Sequence, residues 1–509
     1  MSDKYKVIFS LSLLILFQIS LSVPDINRPF IDGRQHNTYD NARFLLHAEY
    51  SNDNDIKDIR KISGLTNYYY DSDGNITRLD FYTHHPVLLP ALFKIYTGIA
   101  GYGNWVPRSF ILPFSIGITI LLFLLLKSIT NHLFFSWLST LLFIVLPLNM
   151  NYQDVFKYEI VTSFFILLNF LLLFKRDKTA PYYRTIFLIS FFFIFQTDWP
   201  AYLPGASIIL FMYYKRKDYG CERLYLYAAI IACVSILINF YILFQLGWSI
   251  NGMIGTAGGR INGHLSGISL VDWIINQYEF LCWNYSKINI MIFGALILFL
   301  LWKKVNTFNP LVFCAIVILV TVVLYNSIFR SGSYIHHYWQ YYFGLSYILF
   351  LGEAFLFVKK DIISEICLKL LTIPAIILIF ITFRSGINMA IDIKMSLFGT
   401  ARDIAIIKTL SKKRRFILFS DGKSGNTGWW TAPHITLYAD RIYKDSKIGG
   451  IAFIDDKKTI LHPDSDVIVS LNRPYLKDYV KTYYQKRFAL RQVTLEGCST
   501  SFCFFSFHN

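Results

Sequence analysis

Apolar and polar residues fall in long blocks along this chain, not with the short periods of a soluble domain. Eleven apolar runs cover residues 7–23, 109–126, 133–148, 160–174, 186–197, 200–213, 224–246, 288–301, 310–328, 343–358 and 370–383. Most approach the length that a hydrocarbon core of ~30 Å requires of a helix, and the shorter ones are marginal. The pattern predicts about 11 transmembrane helices. Lys4 and Lys6 precede the first run, as in a signal peptide. That run is long for a cleaved leader, and no small-x-small site precedes Pro24, so it reads as a retained span.

Charges between the runs assign the two sides. With the amino terminus inside, Lys127, Lys175-Arg176-Asp177-Lys178, Lys215-Arg216-Lys217, Lys303-Lys304 and Lys359-Lys360 all fall on the inner side. This is the positive-inside pattern, and one missed or invented span would break it. The outer side then receives the first loop (24–108), a short loop (149–159), the turn 197–200, a long loop (247–287), residues 329–342 and the tail from Arg384. A multi-pass protein of the plasma (inner) membrane is expected, with a cytoplasmic amino terminus and an extracytoplasmic carboxy-terminal domain.

The block pattern stops near residue 398. Short apolar runs at 416–419, 451–454, 467–470, 488–494 and 502–507 alternate with helix-like stretches at 431–441 and 475–484. Such alternation predicts a small α/β domain over 399–509, following a transmembrane domain over 1–398. It carries no phosphate loop or catalytic signature, so a lid, scaffold or partner-binding role is expected of it.

Composition agrees with a chain that uses lipid as solvent: 54% of its 509 residues are hydrophobic and 16% charged, with a mean hydropathy of +0.42. A net charge of +16 would raise nucleic acid as a partner in a soluble protein. Here the lysines and arginines sit in the inner clusters, and no aromatic–basic module accompanies them, so nucleic acid is not expected. None of the seven cysteines falls in a Cys-x-x-Cys pair, which argues against a zinc site or a disulfide framework. Cys498 and Cys503 either pair in an oxidising compartment or stay reduced.

Candidate chemistry gathers on the outer side. Asp32 lies a few residues past the first run, near the lipid boundary, where an unpaired carboxylate is costly. It is either a working group or an interfacial, solvated Asp. Asp40 reads instead as the N-cap of a helix over 40–50. His84-His85-Pro86 ends the first loop, and its imidazoles could donate to a phosphate or ligate a metal. Asp154 and Glu159 precede the fourth run; Glu159 either caps that helix or joins Asp32 in holding a divalent cation or acting as a base. Arg330, His336 and His337 precede the tenth run, and Arg suits phosphate geometry. Asp198-Trp199-Pro200 reads as a turn, with an interfacial Trp and a helix-starting Pro.

Taken in order, these residues resemble the membrane glycosyltransferases of the GT-C fold. The likeness is to the polyprenyl-phosphate-sugar-dependent group, with its protein O-mannosyltransferase-like enzymes and aminoarabinose transferases of lipid A. Asp32-Gly33-Arg34-Gln35 followed by Ala42-Arg43 is similar to the acidic site that the family places past its first span. Phe81-Tyr82-Thr83-His84-His85-Pro86-Val87 looks like the element that the family carries before its second span, with His84 where some members have Lys. Glu159, or alternatively Asp154, matches its second acidic residue. The resemblance covers roughly residues 32–352.

What the resemblance implies is an all-α polytopic membrane protein of GT-C type with a small extracytoplasmic α/β domain. Its activity would be inverting transfer of a sugar from a polyprenyl-phosphate donor to a lipid, glycan or protein acceptor. Implied roles are catalysis for Asp32 and Glu159, and phosphate contact for His84, His85, Arg330, His336 and His337. Asp32, Asp154 and Glu159 would hold a divalent cation. Two departures matter: Asp32 stands alone where the mannosyltransferases have an Asp-Glu pair, and no Lys accompanies His84-His85-Pro86. The alternative is a transporter or flippase of lipid-linked sugars. That reading expects ionisable groups at mid-membrane, where Glu353 is the main acid.

Overall fold

The computed structural model describes residues 3–26, 64–70, 76–82, 85–86, 88–174, 182–218, 223–245, 258, 261, 269–361, 372–410, 415–418, 452–454, 466–471, 477–478, 480–482, 485, 492–498 and 502–508. Two compact units divide the chain. One comprises Met1–Ile26, His84–Leu89 and Arg108–Ala390; the other comprises Asn27–Thr83, Pro90–Pro107 and Ile391–Asn509.

Each of the eleven apolar runs coincides with a helix: α1 (Asp3–Ser22), α3 (Trp105–Thr130), α4 (Leu133–Val145), α6 (Tyr158–Phe174), α7 (Tyr183–Thr197), α8 (Tyr202–Tyr214), α9 (Leu224–Gln245), α11 (Lys287–Trp302), α12 (Pro310–Ile328), α14 (Tyr341–Asp361) and α15 (Thr372–Thr409). Between them lie α2 (Leu88–Ala100), α5 (Pro147–Tyr152), α10 (Leu270–Tyr285) and α13 (Arg330–Ile335). Among the described residues six helices are long and apolar enough to cross a membrane: α1, α3, α9, α12, α14 with its preceding turn, and α15. The pair α10–α11, bent by 107°, makes a seventh if it is one broken span. The chain is a multi-pass membrane protein.

Inside the first unit, polar side chains pin apolar helices together, since hydrophobicity alone does not drive helix association in lipid. Gln18 of α1 donates to Ser115 Oγ (3.1 Å) and accepts from Thr119 Oγ1 (2.8 Å), both on α3. Asn239 of α9 donates to Phe195 O of α7 and to Tyr202 Oη of α8, each at 2.8 Å. Aromatic packing fills the remaining space: Phe293 of α11 sits 4.4 Å from Phe343 of α14, and Phe135 of α4 stacks on Phe355 of α14 at 3.9 Å. Gly205 of α8 allows close approach, because a Cβ there would strike the Phe195 ring.

The structure corrects several sequence expectations. The run 133–148 is not one helix: Leu146 leaves the helical region (φ −54°, ψ 132°) and Pro147 opens the separate α5. A proline disfavours the α conformation of the residue before it and cannot donate into the helix. The long loop 247–287 contains α10, which amphipathic spacing hid behind Asp272, Asn276, Gln277 and Glu279. Helix α15 continues past the expected end at residue 383 to Thr409. The helices expected over 40–50 and 431–441 lie outside the described residues.

The second unit holds an antiparallel hairpin of β1 (Gly64–Tyr70) and β2 (Ile76–Tyr82), which the sequence pattern does not foretell. It also holds a five-stranded sheet in the order β4-β3-β5-β7-β6. Here β3 (Arg415–Leu418) runs parallel to β4 (Ala452–Ile454) and to β5 (Asp466–Leu471). The last two strands, β6 (Gln492–Cys498) and β7 (Phe502–His508), add antiparallel. The short apolar runs of the tail are these strands. Cys498 and Cys503 form a disulfide across the β6–β7 turn.

Candidate active site

Four short sequence stretches, each beside a helix end of the first unit, supply a cluster of buried polar side chains. The outermost turn of α6 begins at Tyr158 and carries Glu159, which is 5% exposed. A carboxylate is favoured there by the unpaired N–H groups and dipole of the helix start. Residues 153–157 lead into that turn and bring Asp154 and Lys157, both buried. Asp198 ends α7 in extended conformation (φ −157°, ψ 153°) and caps the short turn Trp199–Ala201, its Oδ1 accepting from Trp199 N–H at 2.8 Å. His85 follows the hairpin of the first loop.

Asp198 and His85 form a dyad. His85 Nδ1–H donates to Asp198 Oδ1 at 2.8 Å, and the two side chains are 9% and 2% exposed. The imidazole stacks on the Tyr158 ring, 4.1 Å between centroids and 15° between planes. Its partner carboxylate thus sets the ring's orientation, and the stack fixes its plane. A carboxylate accepts only, so Nδ1 carries a hydrogen, and any change of protonation on the ring falls to Nε2. Tyr342 Oη, at the start of α14, donates to the other oxygen of Asp198 at 3.4 Å. Glu159 acts electrostatically on Tyr341 and on Tyr342. Tyr342 is therefore near both the dyad and the α6 carboxylate.

The remaining charges are matched. Arg108, wholly buried, brings its Nε to 3.7 Å from Asp154 Oδ2 and donates from Nη1 to Ile26 O at 3.0 Å. The Lys157 ammonium lies 3.7 Å from the centre of the Tyr338 ring. Asp154, Glu159, Asp198, Arg108 and Lys157 are all buried, with Arg108 paired to Asp154 and His85 to Asp198. Buried charge of this density is sustained only by such pairing.

The other expected site residues divide. Asp32 and His84 lie outside the described residues. His337 is fully buried: its Nδ1–H donates to Asn284 Oδ1 (2.8 Å) and its Nε2 accepts from Tyr152 Oη (3.0 Å). Both nitrogens are thus engaged in holding α10, α5 and the 337–340 turn together, which makes His337 a scaffold side chain. His336 Nδ1 pairs with Tyr338 Oη at 3.1 Å, and Arg330 is exposed at the start of α13. Sequence reasoning did not single out Arg108 or Lys157, and it read Asp198 as part of a turn without its His85 partner.

No family model matches the sequence, and no curated protein matches it by sequence. Solved structures do match by shape. ArnT from Cupriavidus metallidurans bound to undecaprenyl phosphate superposes with a TM-score of 0.61 at 10% identity, covering 99% of this chain and 98% of that one. The apo oligosaccharyltransferase of Archaeoglobus fulgidus gives 0.54 at 11% identity, covering 95% and 71%.

This is the GT-C fold.

The fold expected from the sequence motifs is therefore borne out, over nearly the whole chain. At such low identity the likeness extends to the GT-C fold alone and assigns no residue its role. The Archaeoglobus fulgidus protein was also solved with Zn and sulfate, with a TM-score of 0.50 at 13% identity, covering 94% and 69%. In this chain no three His, Cys, Asp or Glu side chains among the described residues stand close enough to hold a metal ion. Asp154 is moreover matched by the Arg108 guanidinium. The described residues do not fit a metal on their own.

Proposed function

We propose that this chain is an integral membrane glycosyltransferase. It moves a sugar from a polyprenyl-phosphate donor to an acceptor hydroxyl on the extracytoplasmic side, with inversion. One observation carries the reading. A buried cluster that joins an oriented imidazole to carboxylates stands at one end of a GT-C bundle, and a protein of that fold is described as bound to undecaprenyl phosphate.

In the proposed step the acceptor oxygen attacks the anomeric carbon and its proton passes to a carboxylate, Asp32 by its place in the sequence. The bond from the anomeric carbon to the phosphate oxygen breaks, and the carrier phosphate leaves with an added negative charge. His85, its Nδ1–H held by Asp198, meets that charge through a protonated Nε2, and Glu159 helps to orient the acceptor. Preorganised donors aimed at developing charge usually contribute more to such catalysis than any other single effect. No step is routed through a metal. The transmembrane domain would span 1–398 and the carboxy-terminal domain 399–509, with the amino terminus inside. The Cys498–Cys503 disulfide in the latter supports an oxidising, extracytoplasmic location.

Purified protein in lipid, incubated with a panel of polyprenyl-phosphate sugars, should consume one donor and yield product of inverted anomeric configuration. Transbilayer movement of intact lipid-linked sugar, with no donor consumed, would instead support the transporter.

A further inference from the structure

The first unit has a cavity apart from the buried charge cluster, lined on α14 by the later half of that helix. Helices α4, α11, α14 and α15 enclose an apolar cavity of about 660 Å³, within the usual ~300–1,000 Å³ range of ligand sites. Phe135, Leu138 and Leu142 of α4, Ile292 of α11, Leu351 of α14 and Leu378 of α15 form its walls. Among the described residues, His132, Ser139 and Thr372 are the polar lining residues and none of the lining is acidic.

Its extent matches one leaflet. Along α4 the lining runs from His132 to Leu142. At 1.5 Å per residue that is about 15 Å, half of a ~30 Å hydrocarbon core. The mouth is basic. Lys359, in the last turn of α14 and next to the lining residue Val358, donates to Thr130 O at 3.5 Å. Lys127, in the last turn of α3, donates to Asn131 Oδ1 at 3.1 Å. His132 sits between these lysines, its Nδ1 accepting from Phe135 N–H at 3.1 Å, so Nε2 is the ring atom left for a ligand.

We propose that this cavity binds an anionic glycerophospholipid drawn from the leaflet at the lysine end. An acyl chain fills the apolar space, and the headgroup phosphate lies against Lys127, Lys359 and His132. On the catalytic reading the carrier phosphate reacts beside Tyr342 and Asp198, at the start of α14, whereas the cavity lining on that helix runs from Leu351 to Val358 toward the lysine end. The carrier is therefore a competitor that the experiment must separate from a glycerophospholipid. The choice of occupant rests on that catalytic reading, to which the cavity adds a binding function.

The test is native mass spectrometry of the delipidated full-length protein in detergent, with dioleoylphosphatidylglycerol or dioleoylphosphatidylcholine added. Each lysine near an anionic lipid contributes roughly a fivefold preference, so phosphatidylglycerol should be retained at least about tenfold better. Lys127→Glu with Lys359→Glu should abolish that preference. Ala375→Trp, which fills the cavity from α15, should abolish retention of both lipids. Should the reversed-charge variant fail to fold, Lys127→Gln with Lys359→Gln makes the same comparison. Equal binding of the two lipids, a preference that survives loss of both lysines, or displacement of phosphatidylglycerol by equimolar undecaprenyl phosphate would each overturn the proposal.

Discussion

Asp198 is the side chain on which the proposed mechanism and the local fold both depend, and two substitutions separate those roles. Asp198→Ala strips the acceptor from His85 Nδ1–H and Trp199 N–H at 2.8 Å and from Tyr342 Oη–H at 3.4 Å. A hydrogen bond to a charged group contributes about 1.5–3 kcal/mol, and a lost N-cap costs about 1 kcal/mol. The long Tyr342 bond adds little. Together these give a destabilisation of about 2.5–4 kcal/mol, which overlaps the range of about 3–5 kcal/mol for breaking a buried charge pair. Asp198→Asn keeps an oxygen for both short bonds and removes only the charge, so its cost is about 1–2 kcal/mol. If the charge supports a cationic His85 at the leaving phosphate, kcat should fall about 100-fold or more in the Asn variant, with little change in KM for the donor. Thermal unfolding in detergent reads the first quantity, and single-turnover donor consumption reads the second. An Asn variant with near-normal kcat would confine Asp198 to scaffolding. An Ala variant that also unfolds like the parent would refute the structural role of the dyad altogether.

Three further outcomes are expected. Asp32→Asn should abolish donor consumption while expression and unfolding temperature stay unchanged; retained turnover removes it from the mechanism. Arg108→Met leaves the buried Asp154 without its guanidinium and should destabilise by about 3–5 kcal/mol. Arg108→Met with Asp154→Leu should recover part of that loss in a double-mutant cycle, and strict additivity would show that the pair is not coupled. Burial, and then the Lys359 and Lys127 charges, hold the His132 imidazole below its ordinary pKa. The unfolded chain therefore takes up the proton first: this contribution to stability is complete above about pH 6.5 and is lost as pH falls through the depressed value. Unfolding temperature measured against pH should show that drop, smaller in Lys359→Gln and missing in His132→Gln.

Much of the fold was legible because lipid imposes a simple rule on sequence. A spanning segment must satisfy its backbone internally and present apolar side chains, so all eleven runs are helical, one of them in two pieces. The failures came where that rule is silent. Pro147 split one run, since hydropathy does not register the clash of a proline with the residue before it. Helix α10 was read as loop because its buried face is polar: Trp273 donates to Ser333 Oγ at 2.8 Å and Gln277 to Ser333 O at 2.8 Å, while Val271, Ile274 and Ile275 are exposed. Its periodicity is that of a helix whose partner is a polar loop, and a count of apolar residues passes over it.

The site was legible by residue type but not by pairing. Glu159 could be singled out because it stands at a helix start, a position that sequence fixes locally. The dyad could not, because 113 residues separate His85 from Asp198. Asp198 also had a sufficient local explanation as the cap of the Trp199–Ala201 turn, and that explanation holds: the same Oδ1 accepts both Trp199 N–H and His85 Nδ1–H. A cap placed by its own turn is a rigid acceptor, and an imidazole brought to it by a distant segment inherits that rigidity. His337 went the other way. Its position before α14 suggested phosphate contact, yet Asn284 and Tyr152 occupy both nitrogens and leave it none for a ligand. Those partners come from α10 and α5, and contacts of that kind across the bundle are encoded by no local pattern.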